Sequence, residues 1–244
     1  MVQSGYEQST EIEGEDRSPR IGFGEYLISE GVYDKSIFKA IWLAGGPGSG
    51  KSYVQGRVAS GLGLKVVNSD DAFTMLLKKH GLSLKMPDAE EQKRNTQLTR
   101  AKSITAKRIG LMLQGRLGMV IDGTGGNYKA IRSQMKSFQK LGYDTYMVFV
   151  NTSLETALER NKKRDRQVPE PIVASSHKAV QSNIGKFQTL FKPNNFYIID
   201  NNDANEDLLA RASKEVRKII NQPVKDRRAQ KWIKTELEAK GARR

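Results

Sequence analysis

The chain has 244 residues, a formal charge of +14, 37% hydrophobic residues and a mean hydropathy of −0.59, which suits one soluble α/β domain with terminal extensions. The absence of cysteine excludes disulfide-linked partners, thiolate catalysis and cysteine zinc sites, and with only His80 and His177 a histidine-rich metal site is not expected. No apolar run approaches the ~20 residues of a membrane span and no basic segment leads into an apolar stretch at the start, so no membrane partner and a cytoplasmic compartment are expected.

The charge is uneven. Residues 1–20 carry Glu7, Glu11, Glu13, Glu15 and Asp16 against Arg17 and Arg20, and read as an acidic flexible arm. Residues 223–244 carry eight bases against Asp226, Glu236 and Glu238, and read as a basic C-terminal helix anchored by Trp232, Ile233 and Leu237. The rest of the positive excess falls on the domain between them, 21–222. Such a balance favours polyanionic partners such as nucleic acid or nucleotides, and an ordinary soluble basic surface accounts for it equally well.

Within that domain, continuous apolar runs predict buried parallel strands over 39–44 (KAIWLA), 65–68 (KVVN), 119–122 (MVID), 145–150 (TYMVFV) and 196–200 (FYIID). Helical patterns are expected after Lys51 and over 71–80, 88–114, 128–141, 154–164, 171–187 and 206–220. The alternation predicts a three-layer α/β sandwich, a five-stranded parallel sheet flanked by helices.

Between the first strand and its helix lies Gly45-Gly46-Pro47-Gly48-Ser49-Gly50-Lys51-Ser52. This matches the phosphate-binding loop pattern in full, with a strand before and a helix-forming segment after. Glycines let backbone N–H groups turn inward around phosphates. Lys51 is expected to reach the β- and γ-phosphates of ATP, and the Ser52 hydroxyl to ligate Mg²⁺. Guanine specificity needs an Asn-Lys-x-Asp string, and Asn161-Lys162-Lys163-Arg164 lacks the acid. A hydrolytic ATPase usually ends its acidic strand in Asp-Glu, whereas here the strand ends Ile121-Asp122-Gly123. Both absences favour phosphoryl transfer to an organic acceptor.

The second strand ends Asn68-Ser69-Asp70-Asp71. Ligands of open α/β sheets collect at the carboxyl ends of strands, where Asp70 can orient an acceptor hydroxyl and take its proton. Asp71 suits the cap of the next helix, and capping plus turn formation is the competing explanation for both acids. Asp122 is the second acidic candidate, as holder of a magnesium-bound water or of the acceptor. Thr124 and Asn127 follow it in a glycine-rich loop that can approach a ligand, or that simply turns the chain. Farther on, Arg160 and Arg164 share one helix face, with Lys163 and Arg166 beside them. They can close over a transferring phosphoryl group as a lid, or form a solvated face paired with Glu155 and Glu159.

Taken in order, GGPGSGKS, NSDD, VIDGTGGN and ERNKKRDRQVP resemble the P-loop phosphotransferases related to phage polynucleotide kinase and the zeta toxins, from about residue 38 to residue 180. The resemblance implies that Lys51 and Ser52 hold phosphates and metal and that Asp70 is the general base. It implies that Arg164 is the lid arginine, with Arg160 one turn before it, and that Asn201 lies near the adenine. Relatives place an arginine three residues after the base, and Phe73 stands there instead, as helix packing beside Leu76 and Leu77 or as a stacking surface for the acceptor. The helix pair over 83–115 falls on the acceptor side, where Lys102, Lys107 and Arg108 either track a nucleic-acid backbone or are solvated charges. Polynucleotide kinases phosphorylate a nucleic-acid 5′-hydroxyl, and zeta toxins an amino-sugar nucleotide. The expectation is therefore an ATP- and Mg²⁺-dependent kinase acting on a polynucleotide 5′-OH, with a UDP-amino sugar or other small molecule as the second acceptor class. An ATP-binding nucleic-acid-binding or assembly protein without kinase activity is the alternative of another kind.

Overall fold

The computed structural model describes residues 31–59, 62–203 and 206–241; the acidic segment 1–20 lies outside them. Five parallel strands form one sheet: β1 (Lys39–Ala44), β2 (Lys65–Val67), β3 (Met119–Asp122), β4 (Asp144–Asn151) and β5 (Phe196–Asp200), in the order β2-β3-β1-β4-β5. Alternate residues of the central strands enter opposite cores, as the two-residue period of a strand requires. Trp42 of β1 and Phe149 of β4 point to one side, Leu43 and Val148 to the other.

The first core is closed by α3 (Glu91–Gln114), α4 (Tyr128–Lys140), α6 (Glu170–Gln181), α7 (Ile184–Phe191) and α9 (Arg227–Gly241). The second is closed by α1 (Lys51–Ala59) and α8 (Glu206–Asn221). The expected sandwich is therefore present. A smaller cluster joins Phe73, Leu76 and Leu77 of α2 (Ser69–Lys79) to Met86 and to Ala101 of α3, beside the edge strand β2. No helix among the described residues is long and apolar enough to cross a membrane.

Three elements differ from the sequence expectation. Asp71 does not cap α2: the Asn68 side chain accepts from the Asp70 N–H at 2.7 Å, one turn earlier than expected. The single helix expected over 171–187 is two, broken at Ser182 and Asn183. Asn183 is buried there and donates from Nδ2 to the carbonyls of Gly125 (3.2 Å) and Gly126 (2.9 Å), so the break ties the helical layer to the glycine-rich loop. The helix expected through Arg164 stops at Lys162. Buried Asn161 then closes the following loop, donating to Val168 O (2.7 Å) and accepting from Val168 N–H (3.0 Å).

The basic C-terminal helix α9 is docked on the first core. Trp232 meets Phe38 edge-on at 5.5 Å and Ala229 is buried, whereas Leu237 is exposed and anchors nothing. The start of the sheet is held by an ion pair across β1 and β4, Lys39 Nζ to Asp144 at 2.6 Å, with the lysine side chain 2% exposed. Removing one partner leaves a buried unpaired charge, which typically costs several kcal/mol. Asp144→Ala is expected to lower stability by ~3–5 kcal/mol in urea titration; a change below about 1 kcal/mol would show that water reaches Lys39.

Candidate active site

A cavity of about 840 Å³ opens at the carboxyl ends of β1, β2 and β3. The phosphate loop forms its floor, and its shape leaves no room for side chains at Gly45, where a Cβ would strike Val150 O, or at two glycines farther on. Gly48 has φ +80° and a Cβ there would strike the backbone of Ala157 in α5 (Leu154–Lys162). Gly50 has φ +87° and a Cβ there would strike the Asn201 amide. Both conformations are ones that glycine adopts at low cost.

At the end of β5, Asn201 is buried and donates from Nδ2 to Ser49 O at 2.7 Å. It does not line the cavity, so its observed part is to brace the loop. Arg160 braces the same corner, donating to Asn201 O (2.8 Å) and Asn202 O (3.3 Å) while its side chain borders the cavity.

Lys51 Nζ donates to the carbonyls of Gly45 (2.7 Å) and Gly46 (3.1 Å). Burial lowers the pKa of this amine, against the opposing pull of Asp122 and Asp70. Facing it, the Asp122 carboxyl is pushed up to about 6, first by burial, with Lys51 opposing and Asp70 adding to the rise. Its Oδ1 is buried without a hydrogen-bond partner, as is the hydroxyl of Ser49.

An orphaned carboxylate oxygen beside the phosphate loop fits a magnesium ion, with Ser52 also on the cavity wall. Among the described residues no cluster of three or more His, Cys, Asp or Glu could form a metal cage by itself. A magnesium ion here would therefore take most of its ligands from phosphate and water.

Asp70 faces the same space, its carboxylate 2.7 Å from Arg166. The Arg166 guanidinium also lies over the Phe73 ring, 5.7 Å from the centroid. Its side chain is only 12% exposed, against 56% for Asp70. Phe73 thus both packs with Leu76 and Leu77 and lines the cavity. Arg164 borders the cavity, and its charge is felt by both Lys51 and Asp122.

Two other expected contributors stand apart. Asp71 is exposed and off the cavity wall, and Asn127 caps α4 by accepting from the Ala130 N–H at 3.0 Å. Thr124 does line the cavity. Arg166 carries less signal in the sequence than Arg160 and Arg164 because its partner Asp70 is 96 positions away (166 − 70), and Asn161, whose bonds to Val168 set where that arginine emerges, carries none. On the open side, α3 adds Arg94, Leu98 and Lys102 to the wall.

The family described as "AAA domain" matches residues 41–187, more than half of the chain. No curated protein matches the sequence. Among solved structures, the fold is similar to a Chloroflexus aurantiacus j-10-fl protein described as a kinase candidate, at 13% identity and TM-score 0.51, covering 74% of this chain and 94% of that one. The AvrRxo1-ORF1:-ORF2 complex is similar at 13% identity and TM-score 0.50, covering 87% and 83%. A gluconokinase from Sinorhizobium meliloti 1021 matches at 16% identity and TM-score 0.46, covering 75% and 92%. At these identities the likeness is one of fold.

The raised Asp122 carboxyl makes stability depend on pH. Because the folded protein holds this proton more tightly than the unfolded chain, the group's contribution is complete below its ordinary value of 3.8. That contribution is lost as pH rises through about 6. Above that, the ionised carboxylate costs up to about 3 kcal/mol without magnesium. Asp122→Asn is therefore expected to melt above the wild type at pH 7.5, with the gap closing towards pH 4. A gap that stays flat across this range would contradict the assignment.

Proposed function

The chain belongs to the AAA domain family and has the P-loop kinase fold, and from that premise we propose that it transfers the γ-phosphoryl group of ATP to a hydroxyl acceptor, by preference a polynucleotide 5′-OH. The observation that carries the reading is the position of Asp70 on the cavity wall, opposite the phosphate loop and held by Arg166.

In the proposed reaction, Asp70 accepts the proton of the acceptor hydroxyl. The freed oxygen attacks the γ-phosphorus, and the bond to the bridging oxygen of ADP breaks. Lys51 and the inward N–H groups of the loop hold the β- and γ-phosphates. Ser52 and Asp122 would hold magnesium, which when bound neutralises phosphate charge. Arg164 lies across the cavity, where a guanidinium can donate to the equatorial oxygens, and the segment from α5 to α6 acts as the lid. Arg160 acts from below, by fixing the corner against which the loop rests. The polynucleotide preference draws on the likeness of ERNKKRDRQVP to the lid of polynucleotide kinases and on the +14 charge.

A small ring-bearing acceptor, as in the zeta-like reading, is the second candidate. Phe73, Met86 and Leu98 give the acceptor side an apolar floor that suits it. Incubation with γ-labelled ATP and a panel of DNA and RNA 5′-hydroxyl ends, nucleosides and UDP-sugars separates the two. The expected product is a labelled 5′ end. Label on a UDP-amino sugar alone would establish the second reading, and label on none would contradict both.

A further inference from the structure

Outside the cavity, the least explained feature is the charge on α4. Its thirteen residues include Lys129, Arg132, Lys136 and Lys140 and no acid. Spacings of three, four and four place all four on one face, and all four are exposed. Among the described residues none of them is ion-paired. Met135 and Phe138 turn the opposite face into the core. Like charges at helical spacing destabilise a helix, so the stripe carries a cost that the fold itself does not offset.

The two ends of the stripe give it a direction. Its near end follows the loop whose Gly123 and Thr124 line the cavity, so Lys129 stands five residues beyond Thr124 (129 − 124) at the active edge of the sheet. From there the stripe runs about 16 Å along the helix, at 1.5 Å per residue. At the far end, α9 docks. Arg228 donates to the carbonyls of Lys140 (2.9 Å) and Gln139 (2.8 Å), which joins the end of α4 to the start of α9, where Arg227 and Lys231 are exposed. By contrast α3 has Glu91 at its start and turns Arg94 and Lys102 into the cavity.

We propose that α4, continued by the first turns of α9, is a docking track for the phosphate backbone of single-stranded nucleic acid, leading its end to the cavity. This rests on the polynucleotide reading of the acceptor. Regular cationic groups on the acid-free face of α4 match a polyanion, and neutralising phosphates releases condensed counterions; at the junction with α9, Asp226 is taken up by Arg228 at 2.7 Å. A bilayer surface is the poorer match, because membrane-lying helices bury an apolar face in lipid and that of α4 is already in the core.

The test is binding of a fluorescent single-stranded oligonucleotide, without ATP, between about 50 and 200 mM salt. The variant Lys129→Gln/Arg132→Gln/Lys136→Gln/Lys140→Gln should bind at least tenfold more weakly, with a log–log salt slope reduced by about 3. Lys107→Gln/Arg108→Gln on α3 should keep the wild-type slope and melt with the wild type, and the stripe variant, relieved of like-charge repulsion, should melt at or above it. The proposal is overturned if the wild type does not bind, if the stripe variant keeps its affinity and slope, or if the stripe supports binding only to phosphatidylserine vesicles. Stripe-dependent binding without 5′-end labelling would sink the acceptor reading and leave the track. Labelling indifferent to the stripe would sink the track and leave the acceptor.

Discussion

The active edge depends on a wedge. The backbone of the phosphate loop is pressed between Ala157 of α5 and Asn201 at the end of β5, with no space for a Cβ at Gly48 or Gly50. Asn201 bonds the loop at Ser49, and Arg160 bonds the Asn201 and Asn202 carbonyls. Loop, strand end and the helix that leads to the arginines are thereby one interlocked unit. A loop held this way keeps its shape before any phosphate arrives, which avoids an ordering cost at binding.

Electrostatics then divides the cavity into two tasks. On the loop side, half-buried Lys51 and half-buried Asp122 are each pushed towards neutrality by desolvation and each supported in its charged form by the other. Triphosphate and metal would complete both. On the acceptor side, Asp70 is half open to the cavity and tethered to Arg166, which rests on Phe73. One carboxylate is thus suited to metal and the other to a proton. The residue that follows Asp122 is Gly123 and not an acid, so on the proposed reading no adjoining carboxylate is at hand to activate water. On the proposed reading, that separation favours transfer over hydrolysis.

Most of the strand plan was legible in the sequence because buried parallel strands are written as unbroken apolar runs bounded by turns. The phosphate loop was legible because its glycines answer a local demand of backbone geometry. What escaped depended on partners remote in the chain. Asn201 read as an adenine neighbour until its bond to Ser49, 152 positions away, gave it a bracing part. Asn183 sat unnoticed in an apolar pattern that runs on across the helix break, and its reason is the loop at Gly125 and Gly126. Arg160 and Arg164 stood out by their shared helix face. The helix ends before Arg164, however, and the arginine that meets Asp70 is Arg166, on a loop set by Asn161. Phe73, in the place of a family arginine, gains meaning only with that guanidinium lying over it.

The central claim is that Asp70 serves the acceptor and not the nucleotide. It is tested most directly by measuring ATP affinity and label transfer from γ-labelled ATP to a 5′-hydroxyl oligonucleotide in the wild type and in Asp70→Asn. The account predicts that ATP affinity stays within about twofold, while transfer falls by roughly 10²–10⁴, the contribution of a general base. Transfer at the wild-type rate by Asp70→Asn would contradict it.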